Sequence, residues 1–277
     1  MKSLMKYCVK YSKDIEISKE KTMTYQIGYA ACGTALLILI WFLGGSYLFS
    51  QPGYEQFNGF LPIPTLKALF KLIVDIGFWS SVYASIKRVT LGIMIAFVLG
   101  LPFGLLTGFY KRLNLLTHTS VQFLRMISPI SWMPIALLVF DSFESAICFL
   151  ITIATIWPII LTIANGVSRV NVQWIKMAQN QGANDFQLLL FIILPASIPY
   201  ILNSLRLAVG IAWIILVPAE FLGISSGLGY IINDARDTME YDRLMAIVIA
   251  IGIIGFILDG VIQLVQLSLN WIWIEWD

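Results

Sequence analysis

Long apolar stretches separated by short polar ones run along most of this 277-residue chain. A helix needs about 20 consecutive apolar residues to cross the hydrocarbon core of a bilayer, and several stretches approach that length. The pattern predicts an all-α membrane protein with about six transmembrane helices. We expect these helices at residues 26–49, 87–109, 115–140, 145–165, 196–221 and 244–268.

The composition argues against a soluble domain. Hydrophobic residues make up 58% of the sequence and charged residues 12%, whereas a soluble domain has about 25% charged residues. Because no soluble core could bury so much apolar surface, we expect membrane lipid to surround the chain. No basic patch of the kind that binds nucleic acid is present, so no nucleic-acid partner is expected.

The positions of lysine and arginine predict the orientation of the chain. Six lysines precede the first apolar stretch, and Lys111, Arg112, Arg169 and Lys176 fall on the same side under this segmentation. Positive residues concentrate on the cytoplasmic side of membrane proteins. Both termini are therefore predicted to be cytoplasmic, in a multi-pass protein of the plasma (inner) membrane.

The same pattern divides the chain into four parts. Within residues 51–85, apolar positions recur at helical spacing among charged ones, which is typical of an amphipathic helix on the outer membrane surface. We expect a cytoplasmic N-terminal tail (1–25), a first transmembrane helix with an outer interfacial segment (26–83), a transmembrane core (84–268) and a C-terminal tail (269–277).

A polar loop between the fourth and fifth predicted helices has the features of a helix-turn-helix. Gly182 permits a sharp turn, Asn184 and Gln187 can cap a following helix, and Pro195 is expected to stop that helix before the next span. The loop, residues 171–195, would lie against the inner face of the membrane and offer a surface to a cytoplasmic partner.

This loop resembles the EAA coupling loop of binding-protein-dependent ABC importers. Ala178, Gly182, Phe186, Leu194 and Pro195 keep the pattern, whereas Lys176 and Met177 replace the usual Glu and Ala. The resemblance implies that the loop contacts a separate ATPase subunit. The residues implied in that contact are Lys176, Ala178, Gly182, Ala183, Phe186, Leu194 and Pro195.

Seven further motifs, in order, resemble the nitrate, sulfonate and bicarbonate permeases (the NitT/TauT family). They are LPIP at 61–64, SIKRV at 85–89, GLPFG at 100–104, RLA at 206–208, SSGLGY at 225–230, DAR at 234–236 and GFILD at 255–259.

The resemblance implies a type I ABC importer (MetI-like) permease fold. It also implies the partners of such a permease: two ATPase subunits, an external substrate-binding protein and a second permease. A homodimer of identical copies is favoured, and a homologous second permease stays open as the alternative. ATP and Mg²⁺ would bind to the ATPase partner, and no cofactor is expected on this chain.

Two proline-containing motifs bear on the substrate. ISPISWMPI at 127–135 and IWPI at 156–159 resemble the nitrate-type members more than the sulfonate-type ones. The resemblance therefore favours a small, nitrate-like oxyanion. Taurine or another alkanesulfonate, and bicarbonate, stay open as alternatives.

Three charged residues fall deep inside predicted helices. Arg125 and Arg206 each lie ten residues into a span, and Asp259 lies at a similar depth in the last one. Isolated charges in a bilayer are costly, so such residues normally face protein or water. We favour a structural pair between Arg206 and Asp259 over direct contact with substrate. The remaining positive charge would suit an anion pathway.

Glu220 and three glycines complete the candidate positions. Glu220 lies at the outer end of the fifth span, on one helical face with Arg206, and is either a gate or docking contact or a solvated helix end. Gly100, Gly104 and Gly108 repeat at four-residue spacing, which lets helix backbones pack closely.

Missing motifs limit the chemistry of this chain. No lysine follows a glycine, so the phosphate-binding loop of ATPases is absent and the chain cannot hydrolyse ATP alone. With a single histidine and no paired catalytic carboxylates, it is not expected to be an enzyme. A secondary carrier or channel, and less readily an intramembrane enzyme, are the rival hypotheses.

Overall fold

A computed structural model describes residues 25, 28–221 and 223–274 of the chain, with side chains as far as residue 268. Across these residues the regular structure is helical, without a β-strand. The chain divides into two compact units, one ending at Ala68 and the other beginning at Leu69. Apart from Tyr25, the predicted N-terminal tail lies outside the described residues.

The first unit is built around one long apolar helix. Helix α1, Gly28–Phe49, is followed by a 3₁₀ turn, Glu55–Phe60. The Trp41 Nε1 donates a hydrogen bond of 3.0 Å to the Phe60 carbonyl. Phe49 also packs against Phe60. These contacts fold the turn back onto the end of α1.

The second unit holds the other long helices. Helix α2, Pro62–Val74, joins the two units and matches the predicted amphipathic helix, whose place at the membrane surface stays a prediction. The helices that follow are α3 Ile76–Phe109, α4 Lys111–Met126, α5 Met133–Val139, α6 Phe143–Val167, α7 Val172–Asn180, α8 Asp185–Leu188, α9 Leu194–Phe221, α10 Leu228–Asp237 and α11 Tyr241–Ile274.

Five helical segments among the described residues are long and apolar enough to cross a membrane, and a bent pair makes a possible sixth. The bent pair corrects the predicted third span, 115–140. Instead of one helix, α4 and the segment Pro129–Val139 meet at 88°. Pro129 causes the break, because a residue before proline avoids the helical conformation and proline lacks an N–H group.

Helix α3 begins 11 residues before the predicted start at residue 87. Asp75 caps it by accepting a hydrogen bond of 2.9 Å from the Gly77 N–H. At 34 residues, α3 is about 51 Å long, which exceeds the roughly 30 Å hydrocarbon core. The expected boundary between residues 83 and 84 therefore lies within one continuous helix.

Helix α6 packs between α3 and α9 at the centre of the second unit. It contacts α3 along a stripe that includes Gly100, Gly104 and Gly108. A methyl group added to Gly104 would lie 2.9 Å from the Ile163 Cβ, and one added to Gly108 would lie 2.5 Å from the Val167 Cβ. The predicted packing role of these glycines is confirmed.

The last two helices pack against α9. Helix α10 contacts both α9 and α11. Helix α11 continues six residues beyond the predicted end at 268 and reaches Ile274, so part of the expected C-terminal tail is helical.

We predict that Gly104→Ala lowers the free energy of unfolding by about 1–3 kcal/mol, because the added methyl group overpacks the contact between α3 and α6. Gly33→Ala is the matched control, since nothing lies within 4 Å of that position in α1. The control is expected to be neutral or slightly stabilising. Thermal unfolding of the two purified variants in detergent measures the difference. Equal melting temperatures would contradict close packing at Gly104.

Candidate functional site

Most of the functional candidates lie at two opposite ends of the helical core. Helices α3 and α6 end, and α9 begins, near the segment 171–195, which we call the short-helix end. Helices α3 and α6 begin, and α9 ends, near the loop 223–229, which we call the loop end. The coupling candidates lie at the first end and Glu220 lies at the second.

At the short-helix end, the predicted helix-turn-helix is present. Helix α7 stops at Asn180, and Gly182 takes a positive φ of 88° in the turn that follows. Asn184 accepts a hydrogen bond of 2.8 Å from the Gln187 N–H, and the Gln187 side chain accepts one of 3.0 Å from the Asn184 N–H. This capping box starts α8 and confirms the predicted cap.

The predicted role of Pro195 as a helix stop is wrong. Helix α8 continues through a π-helical turn, Leu189–Ile193, into α9. The Leu194 N–H bonds to the Leu189 carbonyl, five residues back. A widened turn before proline relieves the clash of its ring with the preceding turn, so the helix passes Pro195 without stopping.

The short helices expose one apolar surface and bury another. Met177 is 62% exposed and Phe186 is 71% exposed, and Lys176 and Gly182 are also open to solvent. Leu188 and Ile193 are fully buried in the core. The remaining coupling candidates, Ala178, Ala183, Leu194 and Pro195, are half-buried.

A hydrogen bond connects this segment to the turn between α3 and α4. The Tyr110 hydroxyl donates to the Asp185 carboxylate at 3.2 Å. Desolvation and the neighbouring Asp185 charge raise the pKa of the Tyr110 hydroxyl above its usual range. A cavity of about 780 Å³ lies beside this contact, lined by parts of α3, α4, α6 and α7.

At the loop end, Glu220 is completely buried. The Arg88 Nη1 lies 2.6 Å from its Oε1, and the Ser85 hydroxyl lies 2.8 Å from both carboxylate oxygens. The Gly229 N–H donates to its Oε2 at 3.0 Å. The alternative of a solvated helix end is therefore wrong, because α3 and α10 cover this carboxylate.

Arg88 connects Glu220 to α6 and to the loop at Ser226, and it was not among the predicted site residues. Its Nη2 donates to Glu144 at 3.2 Å and to the Ser226 hydroxyl at 2.7 Å. Its Nη1 donates to the Ser226 carbonyl at 3.1 Å. The signal was present in the motif at 85–89, because Ser85 and Arg88 lie three residues apart on one face of α3.

Two glycines in the motif at 225–230 allow the loop to enclose Glu220. Gly227 has a positive φ of 110°, and a methyl group there would lie 2.5 Å from the Glu220 carboxyl carbon. A methyl group on Gly229 would lie 2.4 Å from the Val217 carbonyl oxygen. The space that the two glycines leave in this loop is therefore filled by the Glu220 side chain and the α9 backbone.

The other charged candidates are separate from this cluster. Arg206 and Asp259 form the predicted pair, with two hydrogen bonds of 3.0 and 2.8 Å. Arg125 lies in the last turn of α4, is exposed, and forms no ion pair with the described residues. Over the described part of the chain, no group of His, Cys, Asp or Glu residues is arranged to hold a metal ion.

We predict that Arg88→Met destabilises the protein by about 3–5 kcal/mol, because it leaves the Glu220 carboxylate buried without its cation. The melting temperature in detergent should fall by on the order of 10 °C. Arg236→Met is the control, since its side chain is exposed, and its pair with Asp237 and its contact with the Phe221 ring each contribute about 1 kcal/mol or less.

The double variant Arg88→Met/Glu220→Met should recover part of the loss, because it removes both buried charges. A double variant no more stable than Arg88→Met would show that the two side chains do not compensate each other.

Comparison with known proteins places this architecture in one family. Residues 100–270, more than half of the chain, match the family model described as "Binding-protein-dependent transport system inner membrane component". The bicarbonate transport system permease protein CmpB of Synechococcus elongatus is 33% identical over 241 residues, covering 83% of this chain and 84% of that protein.

Two more relatives have different named substrates. The nitrate import permease protein NrtB of Leptolyngbya laminosa is 30% identical, covering 73% of this chain and 75% of that protein. The putative aliphatic sulfonates transport permease protein SsuC of Bacillus subtilis is 33% identical, covering 85% of this chain and 84% of that protein.

A solved structure has the same fold. The inward-facing MetNI methionine ABC transporter contains a chain that matches with a TM-score of 0.54 at 17% identity, covering 74% of this chain and 96% of that one. This confirms the expected MetI-like fold. With the family match and the three relatives, it follows that this chain belongs to the binding-protein-dependent inner membrane components, the permease subunits of ABC importers.

Proposed function

We propose that the segment 171–195 docks this permease onto a cytoplasmic ATPase subunit. The observation that carries the proposal is the exposed helix-turn-helix itself, fixed by the turn at Gly182 and the capping box at Asn184. Exposed apolar side chains on two short, well-capped helices are suited to a groove on a partner. ATP and Mg²⁺ would then bind to that partner.

The contact surface has a distinctive composition. Trp174, Met177 and Phe186 project apolar side chains into solvent. Lys176 adds a positive charge where relatives of the EAA type carry a glutamate. An acidic or neutral position on the ATPase would suit this lysine better than a basic one.

The helical path through α8 and α9 supports transmission of ATPase movements. The segment Asp185–Phe221 forms one apolar span of 37 residues, about 55 Å long. One end of it belongs to the proposed docking segment, and Glu220 lies near the other. A displacement of α8 would therefore be carried along α9 to the Arg88–Glu220 cluster.

For the substrate, we propose a small, nitrate-like oxyanion. Relatives at about 30% identity are named for bicarbonate, nitrate and sulfonates, all of which are anions. The motifs at 127–135 and 156–159 are our reason for favouring nitrate over the other two. Arg125, which has no acidic partner among the described residues, lies beside the break between α4 and α5 and is the proposed cation of the pathway.

The proposed assembly completes this picture. An external binding protein would deliver substrate at the loop end, and the short-helix end would face the cytoplasm together with both termini. A second copy of the chain would provide the other half of the path. Uptake that persists after ATP depletion and stops when the ion gradient collapses would instead favour a secondary carrier.

We predict that Gly182→Pro abolishes ATP-driven uptake while membrane insertion persists. Proline requires a φ near −65°, whereas Gly182 has a φ of 88° and donates its N–H to the Gln179 carbonyl. The measurement is uptake of labelled nitrate, bicarbonate and taurine by proteoliposomes that contain the complete transporter.

Val172→Pro is the matched control. Residue 172 is the first position of α7, and Asn171 before it is already extended with ψ at 119°. Both conditions favour proline there, so this variant should transport normally. Normal uptake by Gly182→Pro would refute the docking role of the turn.

A further inference from the structure

We propose that the cavity at the short-helix end binds an anionic phospholipid of the inner leaflet, with Lys111 and Arg169 holding its phosphate. This inference rests on the proposed function for the orientation, because the inner leaflet is at the short-helix end only if that end faces the cytoplasm. We call this space of about 780 Å³ the lipid cavity. Among the residues that line it are Gly108, Lys111, Asn114, Ser168, Val172 and Ile175.

The lipid cavity is apolar inside and polar at its rim. Val167, Val170 and Ile193 line it and are buried in the core. Lys111 and Ser168 also line it and are open to solvent. Its volume falls within the range of about 300–1,000 Å³ that small-molecule sites occupy. A ligand that matches this lining has one apolar part and one charged or polar part.

The charges at the rim are positive and have no counter-charge. Lys111 lines the cavity, and Arg169 is flanked in sequence by two lining residues. Neither forms an ion pair with any residue that the structure describes. The Asp185 carboxylate beside the cavity accepts the Tyr110 hydroxyl instead. Two unpaired cations at the mouth of an apolar cavity favour an anionic ligand.

The depth of these cations matches the level of lipid headgroups. Lys111 closely follows the end of the apolar span Ile76–Phe109, and Arg169 closely follows the end of Phe143–Val167. Both cations therefore lie where two spans leave the membrane. Lysine and arginine attract anionic phospholipids at this level, and basic pockets between transmembrane helices on the cytoplasmic side hold the headgroups of such lipids.

An apolar surface continues from the cavity along α4. Leu115 lines the cavity and is 72% exposed, and Leu116 beside it is 77% exposed. The acyl chains of a phospholipid would cover these side chains, since burying apolar surface is favourable. A soluble anion such as inorganic phosphate has no apolar part to place there. The lining therefore favours a lipid over a free anion.

The proposed ATPase contact lies on the other side of α7. Val172 and Ile175 line the cavity, whereas Trp174 and Met177 belong to the proposed docking surface and are exposed. At 3.6 residues per turn, these two pairs point about 160° apart around the helix. An ATPase subunit can therefore dock on the segment 171–195 without filling the lipid cavity.

Photo-cross-linking with a lipid tests the proposal. The tagged full-length chain is purified in mild detergent with any bound subunits and reconstituted in vesicles of equal parts phosphatidylglycerol and phosphatidylcholine. A trace of phosphatidylglycerol carries a photoreactive group near its glycerol. After illumination and digestion with chymotrypsin, mass spectrometry maps the adducts. We expect adducts within residues 108–115 and 167–175, and far fewer there when phosphatidylcholine carries the same photoreactive group.

The double variant Lys111→Gln/Arg169→Gln should lower the yield of these adducts on the order of tenfold, because each cation near an anionic lipid contributes several-fold to its affinity. Lys67→Gln/Lys71→Gln is the matched control. It removes the same charge from α2 and should leave the adducts at the cavity unchanged. Leu115→Gln, at an exposed position, is a second variant in case the first does not fold, and it should also lower the yield.

Three results would overturn the lipid site. They are equal adducts from the two lipids, unchanged adducts in both cavity variants, and displacement of the lipid by inorganic phosphate but not by sodium chloride of the same ionic strength. The last result would assign the cavity to a soluble anion. The same preparation is analysed for an ATP-binding subunit. Cavity adducts without that subunit count against the proposed function alone, and the subunit without cavity adducts counts against the lipid site alone.

Discussion

The buried carboxylate of Glu220 is the constraint on which the loop end depends. A charge without solvent must be neutralised and hydrogen-bonded, and helices α3 and α10 meet that need. Helix α3 supplies Ser85 and Arg88, α10 supplies the Gly229 N–H, and α6 adds Glu144 on the far side of Arg88. Since the interaction joins helices distant in sequence through directional hydrogen bonds, it specifies their mutual positions.

The same helix that ends at Glu220 begins at the short-helix end. Along α9, the buried charge cluster and the proposed docking segment are parts of one helical body, widened at the π-helical turn rather than broken. The glycine stripe of α3 holds α6 close between α3 and α9. On this account, ATPase movement reaches the opposite end through tightly packed helices and not through flexible loops.

Local chemistry made much of the fold predictable. The apolar runs correctly predicted most of the long helices. Gly182, Asn184 and Gln187 correctly predicted the turn and the cap, because the geometry of turns and caps depends on residues that are neighbours in sequence. The break at Pro129 was not predicted, because the apolar content of a segment carries no information on a change in the direction of the helix axis. The covering of Glu220 was missed because its partners Arg88 and Gly229 come from other helices. Arg206 and Asp259 were paired correctly from their matching depth.

The contact between the segment 171–195 and an ATPase is the central claim, and a photo-cross-linking residue at position 186 tests it most directly. Phe186 is 71% exposed, and Val98, 67% exposed on α3, is the control. After illumination of native membranes, mass spectrometry identifies each adduct. We expect an adduct with a protein that carries an ATP-binding phosphate loop from position 186 and none from position 98. The absence of such an adduct at 186, or its equal formation at 98, would contradict the account.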